Sequence, residues 1–231
     1  MSDLVTNFNA TRSRIEAAAL RSGRDPKEVK LLAVSKSVDA ETVCAAMQQT
    51  GQTLFGENRV GELQRKIAAC PDADFHFIGN LQTNKVRKVV GTTPLIHSVD
   101  SQRLLRAIDA RAKFLTEDMQ KEIVQPVLIQ VNVSGEEAKS GIQPDDLDEL
   151  LHIAGDELNN VAVNGLMTMA PLAPAEDVRW IFRALRELRD RTCANNPNFE
   201  LVELSMGMTG DFEVAIEEGA TLVRVGTALF V

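Results

Sequence analysis

Lys36 closes the apolar run Leu31-Leu32-Ala33-Val34-Ser35-Lys36 near the N-terminus. A buried strand that ends in an amine puts a desolvated nucleophile at the rim of a sheet, where it can attack a carbonyl carbon. Two segments much further along, Ser205-Met206-Gly207-Met208 and Arg224-Val225-Gly226-Thr227, carry the residue types of a phosphate cradle. In the first, glycines admit close backbone approach, Ser205 offers a hydroxyl, and a helix expected from Asp211 offers free N–H groups. In the second, Arg224 supplies a guanidinium, with Gly226 and Thr227 just beyond it. An amine facing an anion cup suits one kind of ligand, a phosphorylated aldehyde held as a Schiff base. Each segment alone also has an ordinary reading. A strand-ending lysine often snorkels into water. A Gly-rich turn can be capped by Thr209 or Asp211, and a buried arginine can be satisfied by a carboxylate such as Glu203.

These segments act together only if the fold brings them to one rim. Residues 4–22 read as an opening helix with Leu4, Phe8, Ile15 and Ala19 apolar, ending near Gly23. After it come eight short apolar, β-branched or aromatic runs, near 30–36, 53–57, 74–79, 95–99, 126–132, 162–168, 200–205 and 221–225. Helical spacing separates them, clearest at 175–193, where Val178, Ile181, Phe182, Leu185 and Leu188 recur. Gly51 and Gly219 stand where helices should stop, Pro144 and Pro174 where they should start. Eight such alternations favour a closed (β/α)8 barrel over an open doubly wound sheet. Ser35-Lys36-Ser37-Val38 lacks the Gly-x-Gly-x-x-Gly that usually follows the first strand of the open sheet. In barrels, chemistry sits at the C-terminal strand ends, and phosphate commonly binds after strands 7 and 8. Lys36 would stand there beside strand 8, provided the face it shares with Leu32 and Val34 is the lumen. Other polar groups fall at strand ends. Asn58 is short and neutral, suited to a ring hydroxyl, whereas His76 reads as a satisfied core histidine. Lys139 stands in a loop after strand 5. Gln82, Asn84, Lys85, Arg87 and Lys88 read as a solvated helix face, and Met167 and Met169 as core packing.

The chain has 231 residues, room for one domain spanning 1–231. A net charge of −8 argues against nucleic acid or an anionic membrane as partner. It does not count against an anion held in a local nest. Cys44, Cys70 and Cys193 are few, widely spaced and odd in number, which reads as free thiols of a cytosolic protein. His76, His97 and His152 share no ligand spacing, so no metal site is expected. The start of the chain, with Asp3 and no continuous apolar stretch, reads as neither signal peptide nor anchor, and a cytoplasmic location is expected.

Over essentially its whole length the chain resembles the pyridoxal 5′-phosphate homeostasis proteins, one-domain relatives of the alanine racemase barrel. The resemblance is carried in order by Leu32-Ala33-Val34-Ser35-Lys36, Phe55-Gly56-Glu57-Asn58, His76-Phe77-Ile78-Gly79 and Leu81-Gln82-Thr83-Asn84-Lys85. It continues through Lys139-Ser140-Gly141-Ile142, Gly165-Leu166-Met167, Ser205-Met206-Gly207-Met208 and Val223-Arg224-Val225-Gly226-Thr227. It implies a single barrel of the alanine racemase N-terminal type with an extra N-terminal helix, and pyridoxal 5′-phosphate as cofactor. It implies Lys36 as the internal aldimine and Ser205, Gly226 and Thr227 at the phosphate, with Met206 and Gly207 in the same loop. Arg224 falls at the pyridine nitrogen, and Asn58 among the cofactor-binding residues. The chain departs from the pattern by ending at Phe230-Val231, where relatives continue with a glycine and a short tail; the departure concerns the closing turn.

Arginine effectively never gives up its proton, so Arg224 would leave the pyridine nitrogen unprotonated and the ring a weak electron sink. The related racemases set a tyrosine from a second domain opposite the lysine, and this chain contains no tyrosine. The expected function is therefore reversible binding that buffers or delivers pyridoxal 5′-phosphate, with transient exchange to apo-enzymes, by a monomer without robust catalysis of its own. Two alternatives stay open: a weak amino-acid racemase or related enzyme on the same cofactor, and a Schiff-base aldolase acting on a phosphorylated sugar.

Overall fold

In a computed structural model that describes residues 4–136 and 139–230, the eight apolar runs are eight parallel strands closed on themselves in chain order. Asp3 and Val231, used above to read the two ends, lie outside the described residues. The strands are β1 (Lys30–Val34), β2 (Leu54–Glu57), β3 (Asp74–Phe77), β4 (Ile96–Val99), β5 (Gln125–Gln130), β6 (Val161–Met167), β7 (Glu203–Ser205) and β8 (Leu222–Val225). Around them run α1 (Leu4–Arg21), α2 (Ala40–Thr50), α3 (Val60–Ala69), α4 (Gln102–Met119), α5 (Leu147–Asp156), α6 (Ala175–Asn195), α7 (Phe212–Glu217) and α8 (Thr227–Phe230). Closure pairs β1 with both β2 and β8: Ala33 stands opposite Phe55 on one side and Val225 on the other.

Strand alternation sorts the side chains into two cores. Leu31, Ala33, Phe55, Phe75, Phe77 and Ile96 point outward and join the large core between barrel and helices. Leu32, Val34, Leu128, Met167 and Leu222 point inward and form a smaller cluster that fills the lumen. The Lys36 side of β1 is therefore the lumen side, as the sequence argument required. Burying one such leucine contributes about 1.5–3 kcal/mol, and truncating it to alanine costs about 2–5 kcal/mol once the cavity left behind is counted.

Local signals set the helix limits. Asp39 caps α2 by accepting the Thr42 N–H at 2.8 Å, and Gly51 ends it in the left-handed region at φ 68°. Pro174 is the N-cap of α6, and Pro144 opens a 3-10 turn that leads into α5. Helix α1 buries Phe8, Thr11, Ile15, Ala18 and Ala19 along one stripe and packs on α7 and α8. There the Phe8 and Phe230 rings meet edge to face at 5.7 Å.

Three features differ from the sequence reading. After β3 the chain forms a 3-10 helix (Thr83–Lys88) in which Val86 alone is buried, and one apolar contact supports only a short tight turn. Met169 is 41% exposed, because the chain has left β6 by that point. Cys44 and Cys70 are not free thiols but a disulfide. Adjacent helices α2 and α3 bring their Cα atoms to 5.8 Å, inside the range for a bridge, although 26 residues separate them. Cys193 is the free thiol. The bridge removes the thiol argument for a reducing compartment. Among the described residues no helix is long and apolar enough to cross a membrane.

Candidate functional site

Residues two apart on β1 share a face, and the chain keeps that direction as it leaves the strand. Leu32 and Val34 fill the lumen, while Lys36 reaches a cavity of about 560 Å³ at the C-terminal end of the barrel. Asn58, Arg224, Gly226 and Thr227 line the same cavity, with Met208 to Asp211 and Met169 to Ala173 forming two more of its walls. Lys36 itself is exposed on that wall, so the protein does not desolvate its amine in the way the strand-end argument expected.

Beneath Lys36 lies a buried ionic network. Lys66, from α3, places Nζ 2.5 Å from Glu57 Oε1 and 2.7 Å from the Ser35 carbonyl oxygen. The Ser35 hydroxyl donates to Glu57 Oε1 at 3.0 Å, and the Asn58 N–H donates to Glu57 Oε2 at 3.0 Å. One carboxylate thus holds the residue before Lys36 and the backbone of Asn58 in fixed relation. The Asn58 side-chain oxygen, in contrast, is buried with no hydrogen-bond partner among the described residues. A buried acceptor without a donor costs about 1–3 kcal/mol.

Arg224 comes from β8 and is 5% exposed. Its Nη1 donates to Ser205 Oγ at 2.7 Å and its Nη2 to the Thr168 carbonyl at 2.8 Å. Burial pushes its pKa down to about 10, opposed by the charge of Asp211, so it stays cationic at neutral pH. Glu203 is not its partner: that carboxylate pairs with Lys30 at 2.5 Å. The loops after β7 and β8 are tied together where the Gly226 N–H donates to Thr209 Oγ1 at 3.4 Å. The backbone N–H groups of Thr209, Gly210, Thr227 and Ala228 have no intramolecular partner among the described residues. Gly226 is a close-approach position, since a Cβ there would stand 3.2 Å from the Val34 oxygen.

Ser205, Met206 and Gly207 do not line the cavity. The Ser205 side chain points into the lumen, where Arg224 and His97 engage it. Met206 points outward into the large core. Gly207, at φ +89°, lies so close to α7 that a Cβ would stand 2.6 Å from that of Ala215; close packing explains this glycine. The wall falls instead to the next residues, Met208 to Asp211. Asp211 is the N-cap of α7 and accepts the Met208 N–H at 2.5 Å. Burial raises its pKa, while the Met208 N–H and Arg224 oppose that rise.

The sequence argument did not single out Lys66, and it weighed His97 only as a metal ligand. Lys66 sits at helical spacing from Leu63 and Cys70 on the apolar stripe of α3, a cation where a buried residue belongs. His97 occupies an inward position of β4 and is fully buried. Lys139 does not reach the cavity; its amine pairs with Glu136 at 3.2 Å. A more open groove of about 890 Å³ lies between α5 and α6, but it is lined by Asp156 and Glu200 and by no lysine or arginine, which suits no anion. Among the described residues no group of three or more metal-ligating side chains exists.

The sequence profile of the alanine racemase N-terminal domain matches residues 7–231. The pyridoxal phosphate homeostasis protein of Aquifex aeolicus (strain VF5) is 50% identical over 220 residues, 94% of this chain and 92% of its own. That of Escherichia coli (strain K12) is 38% identical over 238 residues, 100% of this chain and 97% of its own. Among solved structures, PipY of Synechococcus elongatus PCC7942 with PLP bound superposes with a TM-score of 0.79 at 37% identity, covering 95% of this chain and 99% of that one. The alanine racemase of Clostridium difficile 630, at 13% identity and a TM-score of 0.75, shares the barrel over 99% of this chain and 56% of its own. That last likeness is one of fold. With a full-length profile match and two full-length relatives well above 30% identity, the chain belongs to the pyridoxal phosphate homeostasis protein family, built on the alanine racemase N-terminal barrel.

Proposed function

We propose that this protein binds pyridoxal 5′-phosphate reversibly through Lys36 and buffers or delivers it in the cytoplasm, acting as a monomer without robust catalysis of its own. The observation that carries the reading is the cavity at the C-terminal end of the barrel. It brings one lysine amine, one buried guanidinium and two facing loops with free N–H groups into about 560 Å³, a volume within the range of small-ligand sites.

When bound, the cofactor supplies an aldehyde that condenses with an amine, a phosphate dianion, a ring hydroxyl and a pyridine nitrogen. The residues present fit each of these. Lys36 is the amine. Thr209, Gly210, Thr227 and Ala228 offer N–H donors to the dianion, and Asn58 Oδ1 is the acceptor for the hydroxyl. Arg224 carries donors only, so it holds the pyridine nitrogen as an acceptor and gives it no proton. That withholds the electron sink on which amino-acid chemistry depends. The chain has no tyrosine to serve as a second base. Sequestration followed by release to an apo-enzyme is the activity such a site supports. The bound PLP in PipY and the names of the Aquifex and Escherichia relatives support the binding and homeostasis part of this reading and give no support to a sugar-phosphate aldolase.

The test is an absorbance spectrum of the purified protein with pyridoxal 5′-phosphate, before and after borohydride, followed by peptide mapping. A visible band that reduction abolishes, with one pyridoxyl group on Lys36, is expected. Exchange of the α-proton of any amino acid at an enzymatic rate would replace the buffering role with catalysis.

A further inference from the structure

We propose that Ser205, His97 and His76 form a hydrogen-bonded file through the barrel lumen that positions the Arg224 guanidinium, so that Ser205 is a positioning residue for the ring-nitrogen contact and not a phosphate ligand. The ring-nitrogen part rests on the pyridoxal 5′-phosphate reading above. The file itself does not.

Four strands contribute one residue each. Arg224 on β8 stands 2.7 Å from the hydroxyl of Ser205 on β7. Ser205 Oγ lies 2.9 Å from Nδ1 of His97 on β4, and His97 Nε2 lies 2.9 Å from Nδ1 of His76 on β3. All four are inward-facing and nearly or fully enclosed. Their upper end reaches the cavity through Arg224. Their lower end approaches the Lys30–Glu203 pair, whose charges act on His76 in opposite directions.

The protons in this file have one arrangement that leaves no buried donor idle. Arginine has donors and no acceptor, so the Ser205 oxygen accepts from Nη1. The single hydroxyl proton of Ser205 then goes to His97 Nδ1. Were His97 protonated there instead, the Ser205 proton would have no partner in a fully buried site, and a buried donor left without an acceptor is destabilising. A neutral His97 with a free Nδ1 carries its proton on Nε2 and gives it to His76 Nδ1, and His76 carries its own on Nε2. Burial holds both imidazoles toward the neutral form, and the charge of Arg224 further opposes protonation of His97. The groups facing the file from above and below are Asp211, Glu203 and Lys30. Every member thus turns a lone pair toward Arg224. Among the described residues this guanidinium has no carboxylate within ion-pair distance, and oriented neutral dipoles stabilise its charge and fix its direction. Ser205, engaged on both sides and off the cavity, is not available to a phosphate.

The experiment is ¹⁵N NMR on protein labelled at histidine. The chain has three histidines, and His152→Gln removes the exposed one, leaving the two of the file. In the ligand-free protein both are expected as neutral Nε2–H tautomers from pH 8 to pH 5. A proton on His97 Nδ1, or a charged ring in that range, overturns the proposal, whatever the protein binds. In the loaded protein, Ser205→Ala is expected to move the ¹⁵N resonance of the cofactor ring nitrogen. The ratio of affinities for pyridoxal 5′-phosphate and pyridoxal should stay within twofold. A ratio that falls tenfold or more, with the ring resonance unmoved, returns Ser205 to the phosphate and also overturns it. Wild-type protein that takes up no pyridoxal 5′-phosphate would sink the proposed function while leaving the tautomer result to decide the file.

Discussion

The ammonium of Lys66 meets the carboxylate of Glu57 at 2.5 Å, with side chains 1% and 0% exposed, directly beneath the loop that carries Lys36. A buried ion pair contributes little net stability against an apolar pair of the same shape, yet breaking it by removing one partner costs about 3–5 kcal/mol. Lys66→Met leaves Glu57 buried without its cation. It should destabilise the fold by that amount in urea unfolding and weaken loading of Lys36, because the Ser35 carbonyl loses the ammonium that holds it and Glu57, which holds Asn58, loses its counter-charge. The double variant Glu57→Gln, Lys66→Met should recover most of the stability but not the loading. Equal stability for single and double variants would show that the pair is not coupled.

Reduction of loaded protein should label Lys36 and no other lysine. Lys139 does not line the cavity and its amine, 3.2 Å from a Glu136 carboxylate oxygen, makes no hydrogen bond among the described residues, while Lys85 is exposed on the 3-10 helix. Lys36→Ala should lose the visible band of the linked cofactor while retaining weak phosphate-dependent binding. Lys139→Ala should change neither loading nor the rate of transfer to an apo-enzyme. Label on Lys139, or slower transfer from that variant, would mean that the loop after β5 receives the cofactor.

The cup predicts a preference among vitamers. Hydrogen bonds to a charged group contribute about 1.5–3 kcal/mol each, so loss of one costs roughly ten- to a hundredfold in affinity. Gly226→Val would push a side chain against the Val34 oxygen and displace the Thr227 backbone. It should narrow the preference for pyridoxal 5′-phosphate over pyridoxal by at least that factor. Equal affinities for the two vitamers in the native protein would remove phosphate from these loops.

Strands and barrel were legible because parallel strands buried on both faces must be continuous apolar runs, and eight such runs can be counted. Lys36 and Arg224 were legible because a charge at the end or inner face of such a run has few explanations. What local sequence does not carry is height within the lumen. Ser205 and His97 are 108 positions apart, and only barrel closure brings them to 2.9 Å; a loop motif alone sends the serine to the phosphate. The same limit hid the disulfide, since nothing in the spacing of Cys44 and Cys70 says that α2 and α3 lie side by side.

That bridge has a direct consequence for thiol counting. Under denaturing, non-reducing conditions one thiol per chain, that of Cys193, should react with a thiol reagent, and three after reduction. In the chain-entropy account a closed loop of this length stabilises by roughly 3.5 kcal/mol, so reduction should lower the thermal midpoint. Three reactive thiols before reduction would leave Cys44 and Cys70 as neighbours without a bond.

The two lumen histidines make stability depend on pH in a window where few other groups titrate. In the unfolded chain a histidine takes up a proton near pH 6.5. In the folded protein burial lowers His76 to about 4 and lowers His97 well below its ordinary value. Between pH 6.5 and 4 the unfolded state therefore binds protons that the folded state refuses, and stability falls as the pH falls. The slope is up to about 1.4 kcal/mol per pH unit for each ring. Above pH 7 these residues contribute no slope. The carboxylates Glu176, Glu217 and Glu218, held low by arginine partners, add the same sign only from their ordinary value downward. Asp211, raised by burial, acts in the opposite direction above its ordinary carboxylate value. Urea midpoints measured from pH 7.5 to pH 5 should thus decline, and His76→Gln should flatten the decline by about half. A flat profile over that range would mean that both rings take up protons in the folded lumen, and a slope half as steep that one of them does.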